Sequence, residues 1–514
     1  MRAAPVPVIT TAAPAPPGTA TYSQADALRT DPRSANPADW RVDWADGPWP
    51  VTVLDGGVRR PLDGTAGDPD LAPLARLLFH TFAVSRLRVD PRGGLAAAPG
   101  RAATPGHGPR VVLRRPVPSG GSMYPTEAYV VCTRVLGGGA HHYDPYRHEL
   151  TDLGRPDAPA RLAAALGAAD LPAVTLVLTN RFWKNFYKYG DFAFRLGAVD
   201  VGVALGRVLR LAAELWGPPL LWTAFADDRV DAALGVDGRD EGAYAVVGLA
   251  APEAGTGTPR SPGAAPPVPL ERSRRIKRSA RFDALHAAAR APAAPPPAAP
   301  APVLPGPVTP LPPPDAVRPS PADMLRRSCA GALFDGRPAP APALAIVLHH
   351  AAAVLDGRAP AGAAGLALYV AVHRVTGVPA GWYRYRPAPR DLVGVGAGTA
   401  ADTGRVLQEG LFAASLNIEL AAFTVHVSAP VDERAAAAGV RGYRDQQLAV
   451  GMAVEAVTLL AETAGLSGHP VLGFDVHRVD RAYGLTGGPD GIQAQVSVGS
   501  ARPGLNWEVS VLPR

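Results

Sequence analysis

A long apolar run with helical periodicity dominates the middle of the chain. Ala198 to Trp216 is rich in Leu, Val and Ala but carries Asp200, Arg207, Arg210 and Glu214. Those charges mark a buried helix of a soluble protein, because a membrane span would not tolerate them. From Leu71 a second helical pattern begins, with Leu74, Leu77, Leu78 and Phe82 on one face. Shorter apolar runs read as strands: Val51 to Leu54, Tyr129-Val130 and Tyr369-Val370. Helices and strands are thus mixed along the chain.

The pattern repeats itself. Tyr129-Val130 followed by Arg134-Val135 recurs as Tyr369-Val370 followed by Arg374-Val375. Tyr143, Pro145 and Leu150 recur as Tyr385, Pro387 and Leu392. Phe194-Arg195 before an apolar helix recurs as Tyr443-Arg444, with Gly202 and Gly451 inside the two helices. Leu211, Ala213, Glu214 and Gly217 recur as Leu459, Ala461, Glu462 and Gly465. Phe225, Arg229-Val230-Asp231, Ala233 and Gly235 recur as Phe474, Arg478-Val479-Asp480, Ala482 and Gly484. Matches in one order at near-constant separation indicate two diverged copies of one half.

Composition sets the boundaries. The 514 residues include 57 Pro and 55 Gly. Residues 1–35 begin Pro/Ala-rich and are expected to be disordered, and 253–320 to be a linker, with 13 prolines in 291–320 alone. The copies then fall at 36–252, with a Trp-bearing N-terminal extension (Trp40, Trp44, Trp49), and at 321–514. Net charge is +6 with Arg scattered along the chain, so a nucleic-acid stripe is not expected. Cys132 and Cys329 lack neighbours at ligand spacing, which argues against a disulfide scaffold and a zinc site. Prolines interrupt the N-terminus, so no signal peptide is read there, and a cytoplasmic protein is expected.

Three strings carry candidate chemistry. Arg115-x-x-Pro118-Ser119-Gly120-Gly121-Ser122-Met123-Tyr124-Pro125 leads into the strand at Tyr129. Its Ser/Gly turn offers hydroxyls and backbone N–H groups suited to a phosphate or a flavin edge. Lys188-Tyr189-Gly190 precedes the long helix, and Tyr143-Asp144-Pro145 leads to His148 and Leu150. Together these resemble the nitroreductase superfamily, in particular its SagB- or McbC-type azoline dehydrogenases, across 36–252 and again across 321–514. The resemblance implies an α+β fold: two nitroreductase-like domains, each a mainly antiparallel sheet flanked by helices, forming an intramolecular pseudo-dimer.

It also implies FMN lying across the interface. One half would supply an Arg-Arg-Ser helix start and a late Gly-containing turn, and the other half the Pro-Ser loop. The second copy has Arg326-Arg327-Ser328 and Gly473 before Phe474, but its own loop reads Pro360-Ala361-Gly362-Ala363. The first copy keeps Pro118, Ser119, Gly120, Gly121 and Ser122, lacks Arg-Arg-Ser between His80 and Arg86, and has Ala224 before Phe225. One intact composite FMN site is expected. Arg502 is a candidate phosphate cation or a surface residue, and Arg278-Ser279-Ala280-Arg281-Phe282 is read as a solvated basic segment.

The resemblance makes Lys188-Tyr189 the catalytic pair, one as base and the other as its hydrogen-bond partner; the second copy has Ala437 and Ala438 there. The aromatic stretch from Phe182 to Tyr187 leaves a core-closing role as the alternative. The implied activity is FMN-dependent oxidation of thiazolines or oxazolines to azoles in a ribosomally made peptide, an antibiotic-type natural product. The implied partners are the azoline-bearing precursor peptide, a cyclodehydratase and dioxygen as electron acceptor, with no nucleic acid or membrane. An NAD(P)H-dependent nitro, quinone or enone reductase and a non-catalytic peptide- or partner-binding scaffold are the alternatives.

Overall fold

The computed structural model describes residues 8–10, 20–32, 36, 40–63, 71–90, 110–249, 266–290, 306–327, 334–357, 365–395, 402–413, 416–502 and 507–510. Two seven-stranded sheets, antiparallel in every pairing, form its framework. In the first half the strands are β1 (Arg59–Pro61), β4 (Thr126–Cys132), β5 (Gly139–Asp144), β6 (Glu149–Asp152), β7 (Val174–Arg181), β8 (Leu220–Trp222) and β9 (Glu241–Leu249). Between β1 and β4 lies a hairpin of β2 (Arg86–Asp90) and β3 (Arg110–Arg114). The second half has β10 (Val308–Pro310), β11 (Ala367–Val372), β12 (Gly381–Arg386), β13 (Asp391–Gly394), β14 (Phe423–Pro430), β15 (Ser467–Val471) and β16 (Asp490–Gly499). A last strand, β17 (Trp507–Ser510), follows.

The first sheet runs β8-β9-β7-β4-β5-β6-β1 and the second β15-β16-β14-β11-β12-β13-β10. Taken from these ends, the repeated segments occupy the same places in both. Strand alternation explains why the central strands are apolar throughout. In β7, Leu176 and Leu178 face the large core under the long helices, while Val177 packs on the opposite side with Leu162 and Val230.

Among the helices are α1 (Tyr22–Thr30), α2 (Ala72–Phe82), α3 (Phe182–Tyr189), α4 (Ala193–Leu215), α5 (Asp227–Leu234), α6 (Ala280–Ala289), α7 (Pro321–Arg326), α8 (Ala341–Gly357), α9 (Gly439–Thr463) and α10 (Val476–Tyr483). The two halves meet where α4 crosses α9. A Cβ placed on Gly202 would lie 2.1 Å from the Leu448 carbonyl oxygen, and one on Gly451 2.2 Å from that of Val199. Only glycine permits backbones to approach this closely. Phe194 and its counterpart Tyr443 stack on each other with centroids 6.4 Å apart and planes 13° apart. Arg207 of α4 and Glu455 of α9 close the crossing with a fully buried ion pair at 2.7 Å. No helix among the described residues is long and apolar enough to cross a membrane.

Two stretches expected to lack structure contain ordered elements. Within 1–35, α1 has a capping box from Thr21 and Gln24 and buries Ala25 and Leu28 completely. Its Tyr22 hydroxyl donates to the Pro430 carbonyl at 3.1 Å, which fastens it to the second half. Within 253–320, Val268–Leu270 pairs with Val53–Asp55, β10 joins the second sheet, and α6 is capped by Ser279. The reading of Arg278–Phe282 as a solvated segment is likewise corrected. Arg278 is paired with Asp240 at 2.5 Å and Asp283 at 2.9 Å, and Phe282 is buried. Proline content obscured a short helix whose Phe282, Leu285 and Ala289 make an apolar stripe.

Candidate functional site

The Pro-Ser loop leaves β3 at one end of the first sheet. Gly121, Ser122 and Tyr124 all have positive φ, at 59°, 59° and 50°. Two of these are not glycine, a strain that persists only where surroundings enforce it. Asp200 of α4 supplies the enforcement. Its Oδ2 accepts from the Ser119 hydroxyl at 2.8 Å and from Asn185 Nδ2 at 3.2 Å, and its Oδ1 from the Gly120 N–H at 3.0 Å. The Ser119 oxygen in turn accepts from the Tyr124 N–H at 2.9 Å. Ser119 therefore spends its hydrogen and one lone pair inside the protein. Ser122 differs: its hydroxyl oxygen accepts from Arg114 Nη1 at 2.9 Å, which keeps its own hydrogen available.

Helix α3 brings Lys188 and Tyr189 to this loop. A Cβ on Gly121 would lie 2.4 Å from the Tyr189 hydroxyl and 2.5 Å from Lys188 Nζ, so both polar tips rest on that glycine. Gly190, at φ +52°, ends the helix, and Asn36 grips the turn by donating to the Tyr189 carbonyl at 3.2 Å and accepting from the Asp191 N–H at 2.9 Å. Trp44 of the N-terminal extension is 57% exposed, with its ring 5.8 Å from Lys188 Nζ. Burial, and next the Asp200 carboxylate, hold the Tyr189 phenol above its ordinary range. Burial likewise pushes Asp200 up to about 6, against the hydrogen bonds that favour its charge.

The base of α3 is anchored by a buried ion network. Lys184 donates to Glu127, which also bonds the Thr52 hydroxyl at 2.8 Å and His142 Nε2 at 3.1 Å. Burial carries Lys184 down to about 8, against the pull of Glu127. Burial acts upward on Glu127, but Lys184, His142 and Arg115 outweigh it and hold the carboxyl below its usual range.

The second half approaches the same loop from the other side. Arg86 of β2 donates to the carbonyls of Arg326, at 3.2 Å, and of Arg327, which clamps the end of α7. Arg327 is buried and its Nε donates to the Pro116 carbonyl at 2.5 Å, two residues before Pro118. Strand β17 of the second half pairs with β2, so the hairpin that carries the loop is completed by both halves. His469 of β15 is held down to about 4, by burial first and then by the cations of Arg114 and Arg327. Its Nδ1 is buried without a hydrogen-bond partner among the described residues. Gly473, on the turn after β15, has room around it: among the described residues an added Cβ would touch only Phe412, at 3.8 Å.

The expected site residues are therefore distributed unevenly. Pro118 to Ser122, Lys188, Tyr189 and Arg327 lie together. Gly473 follows the strand that carries His469. Arg326 is exposed and paired with Asp323 and with Glu462 at 3.4 Å. Ser328 and the loop Pro360–Ala363 lie outside the described residues. Arg502 is exposed, and no hydrogen bond or ion pair joins it to the loop among the described residues. Asp200, Asn185, Arg114 and His469 were not singled out as site residues. Asp200 had a signal: it stands two residues before Gly202, where the second copy has Ala449 before Gly451.

The residues at this seam fit a phosphate-bearing flavin: Arg114 and Arg327 bring positive charge, the Ser122 hydroxyl and the buried His469 Nδ1 bring hydrogen-bonding capacity, and Gly473 lies beside them with room for a ring among the described residues. The counterpart turn in the first half is closed instead. Arg441 of α9 lies over the Phe225 ring at 5.3 Å and donates to the Thr223 carbonyl and the Ala289 carbonyl. It also pairs with Asp227 at 2.5 Å, which Arg444 shares at 2.7 Å. A buried guanidinium thus covers the position that Gly473 leaves open.

Residues 326–500 match the model described as the Nitroreductase family. A candidate nitroreductase of Methanocaldococcus jannaschii is 30% identical over 120 residues, 22% of this chain and 60% of its own length. The chain thus spans 60% of the length of that relative. A crystal structure of a candidate nitroreductase from Anabaena variabilis aligns over 94% of this chain and 100% of its own, at 20% identity and a TM-score of 0.72. The Escherichia coli microcin synthetase McbBCD complex, with truncated pro-peptide bound, aligns over 34% of this chain and 62% of its own, at 20% identity and a TM-score of 0.26. The second half accordingly contains a Nitroreductase family domain, and the chain as a whole has the fold of a nitroreductase-like structure.

Proposed function

We propose that the chain is a tandem-duplicated, FMN-dependent oxidoreductase with one composite site, and that it oxidises azolines to azoles in a ribosomally made peptide. The observation that carries this reading is the meeting of Lys188, Tyr189 and the Pro-Ser loop at Gly121, with Arg327 of the other half latched beside the loop at Pro116. Arg114, Arg327 and Ser122 would hold the phosphate and ring edge, while Gly473 would leave room for the ring. Bound there, FMN would supply the hydride acceptor that azoline oxidation requires. The chain's own residues place the substrate ring and take the proton. Lys188 and Tyr189 present an amine and a phenol side by side on one glycine face, within reach of a ring carbon set against the loop. The exposed Trp44 face borders Lys188 and offers the peptide an apolar rim. Dioxygen would then take the electrons from the reduced protein, and a cyclodehydratase would supply the azoline.

The description of the relatives as nitroreductases favours one second reading, an NAD(P)H-dependent reductase of nitro, quinone or enone substrates. One experiment separates the two. The purified protein is loaded with FMN and offered an azoline peptide in air, and separately NAD(P)H with a nitroarene. Azole formation, seen as loss of two hydrogens by mass, supports the first reading. Turnover only with NAD(P)H supports the second. A chain that takes up no FMN defeats both.

A further inference from the structure

We infer that Asp200 is the positioning residue of this site: its carboxylate ties the Pro-Ser loop to the helix of the reacting pair and sets the surroundings of the Tyr189 phenol. The inference rests on reading Lys188-Tyr189 as the reacting pair. The geometry joins three elements at one carboxylate. Ser119 and the Gly120 N–H come from the loop, Asn185 from α3, and Asp200 itself from α4. Asn185 lies one helical turn before Lys188 and Tyr189, so loop and pair share a single anchor.

The groups facing the carboxylate are the Ser119 hydroxyl, the Gly120 amide, the Asn185 amide and the Tyr189 phenol; Lys188 shares the Gly121 face with that phenol. Three neutral donors satisfy the anion without cancelling its charge. Burial first, and the negative charge of Asp200 after it, oppose loss of the Tyr189 proton. A phenol so held can donate a hydrogen bond but cannot serve as base near neutral pH. In azoline oxidation one ring C–H then breaks with its proton moving to the Lys188 amine. Its electron pair becomes the new ring double bond as the adjacent carbon gives hydride to the flavin of the proposed activity.

The two copies supply independent support. Where the pair has become Ala437 and Ala438, the counterpart of Asp200 is Ala449. By contrast Asp231 and its counterpart Asp480 are both kept, and both cap sheet backbone, accepting from the Ala243 N–H at 2.8 Å and the Ile492 N–H at 2.9 Å. A carboxylate needed only by the fold survives twice; Asp200 survives only beside the pair.

The test is a phenolate absorbance titration, read as the difference between each protein and its Tyr189→Phe version, with and without Asp200→Asn. Tyr189 should ionise at lower pH in Asp200→Asn, because one of the two causes that hold its proton, the carboxylate charge, is removed while burial remains. The alkaline limb of azole formation, absent in Tyr189→Phe, should move with it. A Tyr189 titration unmoved by Asp200→Asn overturns the proposal. Ser119→Ala provides a second route if Asp200→Asn does not fold. With one donor lost the carboxylate ionises at higher pH, so the acid limb of azole formation should rise, and an unmoved limb overturns the proposal. FMN uptake is followed separately by fluorescence in each protein. Failure to bind FMN defeats the flavin reading, while the Tyr189 titration still decides the role of Asp200.

Discussion

The two halves of this molecule share a sheet, a long helix and a crossing, yet treat the ends of their sheets in opposite ways. At the loop end of the first half stand Lys188, Tyr189 and Asp200; the second half has Ala437, Ala438 and Ala449 in those places. At the late turn the order reverses. Gly473 of the second half is open, whereas Thr223 to Phe225 of the first lies under Arg441. Residues kept in both halves do different work: Gly202 and Gly451 permit the crossing, Phe194 and Tyr443 stack across it, and Asp231 and Asp480 bind sheet amides. Position by position, what both halves keep belongs to the scaffold, and what only one keeps is what the proposed site is built from.

The strongest way to break that distinction is to attack a shared position. Gly202→Leu would drive side-chain atoms into the Leu448 carbonyl, a backbone atom that cannot step aside. Overpacking of this kind costs about 3 kcal/mol or more, and here the interface of the two halves bears it. Urea unfolding should show the loss, and FMN uptake should fall with it. A Gly202→Leu protein as stable as the parent would mean the crossing is not what holds the halves together.

Next comes a position kept once. Lys188→Ala should lower azole formation by roughly 10²- to 10⁴-fold, the usual scale for a lost acid–base group. Its urea midpoint should stay near that of the parent, because the buried Glu127–Lys184 pair that anchors α3 is left intact. Ala437→Lys, the same residue type restored to the other half, should leave the rate unchanged. A second active site revealed by Ala437→Lys would erase the division between the halves.

Much of this arrangement was legible in the sequence, for identifiable reasons. Helix α4 was readable because its apolar positions run unbroken, and the sheet strands because their β-branched residues sit in repeated blocks. The pairing of the Pro-Ser loop with Arg327 was readable because each motif survives in the half that lacks the other. Asp200 was read only as a charge that forbids a membrane span, since nothing local shows that a helix residue folds back on a loop eighty residues earlier. Helices α1 and α6 were hidden by the prolines around them, and their caps, Thr21 and Ser279, are single residues. The plug formed by Arg441 could not be foreseen, because it depends on the Thr223–Asp227 turn and on Ala289, more than sixty residues later, converging on one guanidinium.

The smallest expected effect sharpens the comparison within one motif. Arg326 and Arg327 are adjacent but face different surroundings. Arg327 is buried and latched to Pro116, on the strand end that feeds the loop. Arg327→Ala removes a charge-assisted bond inside the protein and should weaken FMN binding by about 10- to 100-fold, on the scale of 1.5–3 kcal/mol for such bonds. The Arg326 side chain is 60% exposed and already paired with Asp323 and Glu462. Exposed pairs contribute about 0–1 kcal/mol, so Arg326→Ala should change both stability and FMN affinity by less than about fivefold. Fluorescence titration of FMN against the two variants decides the matter. If Arg326→Ala loses affinity as strongly as Arg327→Ala, then Arg326 leaves its acidic partners when the flavin binds, and the exposed member of the motif belongs to the site as fully as the buried one.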